Sequence, residues 1–220
     1  MKTITTRIKI CGVKSVDDAL LAAEAGADAV GMILHAPGRS REIPLDLGHE
    51  IAMALPPFVT AVGVVVDLHP MRLRQLLSHV PVSLVQFHGD ESKTDVLSAQ
   101  PTRATKVVPG DASLGESIAK WQAANVWNLC GLVIDAPAGG GKGAPPDWDV
   151  VADALDSIDN LPPLTLAGGL TPENVGDVIR RFRPWAVDVS SGVEEPGNVG
   201  VKSPSRLQAF IAAVREADAA

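Results

Sequence analysis

Cysteine is scarce in this chain: 220 residues hold two, Cys11 and Cys130, and no CxxC spacing joins them. That excludes a disulfide framework and a thiolate metal cage, and it implies reduced thiols. A basic excess is also missing, since the formal net charge is -7. Phosphate backbones call for clustered Lys and Arg, so no nucleic-acid partner is expected, although a local anion site remains open. The segment from Met1 to Lys9 alternates polar and apolar residues and lacks the apolar run of roughly seven residues that a signal peptide needs. Neither a transmembrane helix nor a membrane partner is expected, and the location that follows is cytoplasmic. Low-complexity segments are absent too. What is present is a hydrophobic fraction of 46%, enough for a globular chain with a continuous core. The length suits one α/β domain spanning 1–220, because single α/β barrels commonly run to about 250 residues.

Short β-branched runs alternate with longer amphipathic segments. Strands are expected at Arg7 to Cys11, Ala27 to Leu34, Val59 to Val66, Ser83 to Phe87, Ala104 to Val108, Gly131 to Ile134, Leu164 to Ala167 and Ala186 to Val189. Helical patterns fill the gaps at Ser15 to Ala25, Leu45 to Ala54, Pro70 to Leu77, Lys93 to Gln100, Ser113 to Ala124, Val150 to Leu155, Pro172 to Phe182 and Ser205 to Ala217. Strands joined by helical crossovers lie parallel and covered on the outside, which accounts for apolar runs such as Ala61 to Val66. Eight such units without a long insertion favour a (β/α)8 TIM barrel over a doubly wound sheet with a cleft at a switch point. Two helix starts are locally specified: Ser15 ahead of Asp17 and Asp18, and Thr171 ahead of Pro172.

In a barrel the chemistry sits at the C-terminal ends of the strands. Alternation along the first strand puts Ile8 and Ile10 on one face and Lys9 and Cys11 on the other. With the isoleucines under helices, Lys9 and Cys11 point inward, and a cation about 7 Å from a thiol on one strand face favours the thiolate. Asp135 closes the sixth strand ahead of Ala136-Pro137, either to start the turn or to act as an acid. The loop Ala138-Gly139-Gly140-Gly141-Lys142-Gly143 fails the GxxxxGK[ST] phosphate loop at Gly143, which excludes an ATPase of that class. Gly168 and Gly169 end the seventh strand, and Ser190-Ser191-Gly192 follow the eighth. Barrels often bind phosphate on backbone amides at these two places. Gln86, His88 and Gly89 end the fourth strand, ahead of an acidic pair Asp90-Glu91 that suits a helix N-terminus. His88 is a candidate for lining the pocket. The loop after the second strand carries Arg39 and Arg41, whose planar forks suit a carboxylate or phosphate.

Five segments resemble the phosphoribosylanthranilate isomerase family: Lys9-Ile10-Cys11-Gly12, Glu24 to Gly31, Gln86-Phe87-His88-Gly89-Asp90-Glu91, Ala167 to Val175, and Asp188-Val189-Ser190-Ser191-Gly192-Val193-Glu194. They run in family order across nearly the whole chain. The resemblance implies an Amadori rearrangement of the small-molecule substrate N-(5-phosphoribosyl)anthranilate in tryptophan biosynthesis, without metal or organic cofactor. It implies Cys11 as general base and Asp135 as general acid. It further implies Lys9, His88 and Asp188 as pocket residues, Arg41 on the anthranilate carboxylate or holding the leaving geometry of the sugar, and Gly168, Gly169, Ser191 and Gly192 around the phosphate. Glu42 stands where the family commonly has an aromatic, which leaves the choice between Arg39 and Arg41 open. Monomer and homodimer are equally compatible with the sequence.

Overall fold

The computed structural model describes residues 5–137 and 145–220. The loop singled out above, Ala138 to Gly143 with Lys142, lies outside the described residues. Eight strands and eight helices alternate: β1 Arg7–Cys11, α1 Val16–Ala25, β2 Ala29–His35, α2 Leu45–Ala54, β3 Thr60–Val65, α3 Pro70–His79, β4 Leu84–Phe87, α4 Lys93–Leu97, β5 Arg103–Pro109, α5 Leu114–Ala124, β6 Leu129–Asp135, α6 Trp148–Asp156, β7 Leu164–Leu166, α7 Val175–Phe182, β8 Ala186–Val189 and α8 Pro204–Ala219. Each strand pairs in parallel with its sequence neighbours, and β8 returns to β1 to close the barrel. That last pairing excludes the doubly wound alternative, whose sheet would keep two open edges.

The period of two in β1 sets inside against outside. Lys9 stands in register with Asp188 of β8, and Cys11 with Gly31 of β2. Ile8 and Ile10, on the opposite face, are fully buried among the core residues between strands and helices. From α8, Leu207, Phe210 and Val214 are buried in the same core. The two ends of the chain are tied together there, because Thr6 donates to the Asp218 carboxylate from both its amide (3.0 Å) and its hydroxyl (2.6 Å). Among the described residues no helix is long and apolar enough to cross a membrane.

Helix boundaries differ from expectation where side chains compete for backbone groups. The hydroxyl of Ser15 accepts from the Asp18 amide, as expected, and Gly26 closes α1 with a left-handed φ of 110°. In contrast, α7 begins at Val175 rather than Pro172. The Asn174 side chain accepts from the Thr171 amide (2.8 Å) and donates to the Gly169 carbonyl (2.9 Å), which holds this stretch in turns. Helix α4 stops at Leu97, where the Ser98 hydroxyl takes the Asp95 carbonyl at 2.6 Å. Helix α6 starts two residues early because Asp147 caps the amides of Asp149 and Val150.

Phe210 is fully buried, so Phe210→Ala deletes a ring that the surrounding helices and strands cannot replace. Urea denaturation is expected to show a loss of about 3–5 kcal/mol.

Candidate active site

The Lys9 ammonium and the Asp188 carboxylate meet at 2.6 Å inside the barrel, both side chains less than a tenth exposed. Burial works against the charge on Lys9, but Asp188 and the neighbouring thiol outweigh it and hold the ammonium above the ordinary lysine range. Only one oxygen of Asp188 is used. Its Oδ1 is buried and has no hydrogen-bond partner among the described residues.

Cys11 sits beside this pair, and the space around it exists because β2 carries glycine opposite. A β-carbon on Gly31 would lie 2.9 Å from the Cys11 Sγ and 3.0 Å from the Lys9 Nζ. Burial pushes the thiol up; Lys9 opposes this, Asp188 reinforces it, and Lys202 opposes it again from farther away. The expectation that Lys9 favours the thiolate therefore holds in sign, while desolvation outweighs it in sum.

Asp135 ends β6 with its Oδ1 accepting from the Ala136 amide at 2.7 Å. Burial raises its carboxyl to about 6, the Ala136 amide pulls it down, Asp188 adds to the rise and Lys9 opposes it. So Lys9 and Asp188 act on the thiol and on the carboxyl alike. Gly168, at φ 88°, lets the β7 loop approach: a β-carbon there would meet the Asp135 Oδ1 at 2.8 Å. The imidazole of His88 lies 3.4 Å from the other Asp135 oxygen. Burial, followed by the charges of Lys9, Lys106 and Arg39, depresses its pKa to about 4, so the ring is neutral at pH 7.

The acidic pair after His88 is not a simple helix start. Glu91 is buried and accepts from the amides of Gly89 (2.9 Å) and Asp67 (2.9 Å). Lys106 of β5 neutralises it at 3.2 Å while donating to the Gly89 carbonyl at 2.7 Å. The turn that carries His88 is thereby fixed from both sides. Helix α4 takes its cap from Ser92 instead, in a reciprocal box with Asp95.

Arg41 and Arg39 separate clearly. Arg41 donates from Nε and Nη2 to both oxygens of Glu194, each at 2.7 Å, whereas Arg39 is exposed on the loop. Gly12 makes room for Arg41: at φ 69°, a β-carbon there would meet the Arg41 Cδ at 2.8 Å and the Ser190 Oγ at 2.9 Å. The glycine-bearing loops of β7 and β8 also come together, because a β-carbon on Gly192 would overlap the Leu170 carbonyl. Gly169 adopts φ 60°, and Ser191 and Gly192 lie in a short 3-10 turn, Ser191–Val193. Glu194, quoted in the sequence only as part of a motif, and Lys202, unremarked there, complete this corner. Lys202 stands alone before a helix, and only its pairing with Glu194 across a short antiparallel bridge shows its place.

A family model described as N-(5'phosphoribosyl)anthranilate (PRA) isomerase matches residues 8–213 of this chain. The chain belongs to that family. It is 44% identical over 211 residues to the N-(5'-phosphoribosyl)anthranilate isomerase of Pseudomonas aeruginosa, covering 95% of each. Among solved structures, phosphoribosyl anthranilate isomerase from Thermus thermophilus superposes with a TM-score of 0.83 at 32% identity, covering 96% of this chain and 99% of that one. A family structure in complex with reduced 1-(o-carboxyphenylamino)-1-deoxyribulose 5-phosphate superposes at 0.81, also at 32% identity, with 96% and 99% covered. The family resemblance and barrel read from the sequence are thus both borne out.

The Asp135 carboxyl has an ordinary value of 3.8 and stands at about 6 in the folded chain, so the folded state holds its proton more tightly. Its contribution is most favourable at low pH and is lost as pH rises through about 6. Asp135→Asn keeps this position neutral at every pH. Denaturation at pH 8 is expected to find the variant more stable by up to about 3 kcal/mol, with the difference closing as pH falls to about 4.

Proposed function

We propose that this chain isomerises N-(5'-phosphoribosyl)anthranilate to 1-(2-carboxyphenylamino)-1-deoxyribulose 5-phosphate, with Cys11 as general base and Asp135 as general acid. The observation that carries the residue roles is that a thiol from β1 and a carboxyl from β6 share one barrel mouth and one buried ion pair, Lys9 with Asp188. Protonated Asp135 donates to the ribose ring oxygen as the bond from C1 to that oxygen breaks. The nitrogen lone pair closes a protonated Schiff base at C1. The Cys11 thiolate then takes the C2 proton; the freed electron pair forms the C1–C2 double bond, and the imine electrons return to nitrogen to give an enolamine. Loss of the enol proton and protonation at C1 complete the ketose. A carboxyl raised to about 6 retains a useful protonated fraction near neutrality, and an acid works best with a pKa near the operating pH.

The remaining residues position the substrate. The phosphate would rest on the amides around Gly168, Gly169, Ser191 and Gly192, where the two loops pass so close that Gly192 has no room for a side chain. A sugar hydroxyl would donate to the unpartnered Oδ1 of Asp188. Two of the five guanidinium donors of Arg41 are used on Glu194, leaving the others for the anthranilate carboxylate. Neutral His88 would share a hydrogen bond with Asp135 without adding charge. The reaction belongs to tryptophan biosynthesis. A free catalytic thiol needs a reducing compartment, which supports the cytoplasm as its place.

Cys11→Ser and Asp135→Asn are each expected to lower turnover by roughly two to four powers of ten, followed by loss of anthranilate fluorescence, with affinity for a product analogue little changed. Unchanged turnover in either variant would remove that residue from the mechanism.

A further inference from the structure

The corner behind Cys11 holds more positive charge than a structural tie requires. Glu194 is one carboxylate serving two cations: Arg41 takes both oxygens at 2.7 Å, and Lys202 reaches Oε1 at 3.2 Å. The Lys202 side chain is completely buried, and its only other acceptor among the described residues is the Ser190 carbonyl at 3.1 Å. A buried ammonium that shares its counter-ion is costly, and an arginine alone would satisfy Glu194. The location is specific. Ile10 pairs with Val189 across β1 and β8, so Cys11 lies level with Ser190. Ser190 and Arg41 are also the two groups that touch the space over Gly12.

We infer that Lys202 is a positioning residue of this site: it shares one oxygen of Glu194 with Arg41 and places a second buried positive charge behind the Cys11 thiol. The inference deepens the proposed mechanism and rests on its assignment of Cys11. Two consequences follow from the geometry. Arg41 shares its carboxylate partner with a second cation. The thiol, meanwhile, is flanked by Lys9 on its own strand and by Lys202 ahead of α8. Around it stand the other charged or titratable groups of the mouth: Arg41 from the β2 loop, Asp188 from β8, Glu194 after it, Asp135 from β6 and His88 from β4. The trio of Arg41, Glu194 and Lys202 is joined by its own hydrogen bonds and makes none to the Lys9–Asp188 pair. Lys202 lowers the thiol and Glu194 holds its own charge firmly, its carboxyl kept at about 2 against the cost of burial by Arg41 and Lys202.

A purely structural role would give variants at Lys202 and Glu194 the same direction of effect; an electrostatic role gives them opposite ones. The test is the pH dependence of Cys11 alkylation by iodoacetamide in a Cys130→Ala background, together with the pH profile of kcat/KM. Lys202→Met is expected to move the alkylation midpoint up by about one pH unit, and the rising limb of kcat/KM with it. Glu194→Gln is expected to move the midpoint down, and Lys202→Arg to leave it in place. An unmoved midpoint in Lys202→Met, or an upward or unmoved one in Glu194→Gln, overturns the inference. Should Lys202→Met fail to fold, the isosteric Glu194→Gln decides alone. Alkylation reports the thiol whether or not it is the base. A failure of the mechanism would instead show as undiminished turnover in Cys11→Ser.

Discussion

The site depends on a single buried ion pair. Lys9 and Asp188 are brought into register only because β8 closes on β1, and their contact at 2.6 Å is nearly sealed from solvent. Two charges this deep are costly to desolvate, and their attraction offsets that cost only when the geometry is good. Breaking the barrel at this seam would therefore remove charges that both Cys11 and Asp135 feel. The pair also leaves one carboxylate oxygen of Asp188 unused, a buried acceptor that the protein alone does not satisfy. Stability and function meet at this position, since the contact lies on the seam that closes the barrel and at the centre of its mouth.

Around the pair, burial moves the Asp135 carboxyl and the Cys11 thiol in the same direction, with different results. Raising a carboxyl brings Asp135 toward neutrality, where it can donate; raising a thiol takes Cys11 away from the thiolate that the proposed mechanism requires. Cations beside the thiol are the remedy available to the protein, and Lys9 and Lys202 supply them from two different elements. Glycine does the rest by omission. Gly31 leaves space for the thiol and ammonium, Gly168 for the approach to Asp135, and Gly192 for the close passage of two loops. His88 stays neutral next to Asp135 because its ring is buried and the charges of Lys9, Lys106 and Arg39 add to that effect, so it can accept or donate a hydrogen bond without repelling Lys9.

Much of this was legible in the sequence, for a physical reason. The period of two in β1 told Lys9 and Cys11 from Ile8 and Ile10, and repeated β-branched runs gave all eight strands to within a few residues. The glycines after β7 and β8 marked strand ends whose loops pass close together. What escaped was set by contacts distant in sequence. Glu91 reads as a helix-start acid, yet it is buried against Lys106 and the Asp67 amide, partners on other loops and strands. Lys202 carries no periodicity or motif, and its role appears only once Glu194 folds back against it. The start of α7 was misplaced because Asn174 satisfies loop groups instead of capping the helix. Arg41 was expected on the substrate, and its pairing with the carboxylate of Glu194 was not foreseen; a charge-shared arginine cannot be told from a free one by its letter.

The most direct test of the central claim is the pH titration of the Cys11 thiolate, read by ultraviolet absorbance in a Cys130→Ala background, with and without Lys9→Met. If the Lys9–Asp188 pair governs the site, removing the ammonium and leaving Asp188 behind raises the titration midpoint by one pH unit or more. A midpoint that stays where it was in a folded Lys9→Met protein would contradict the account.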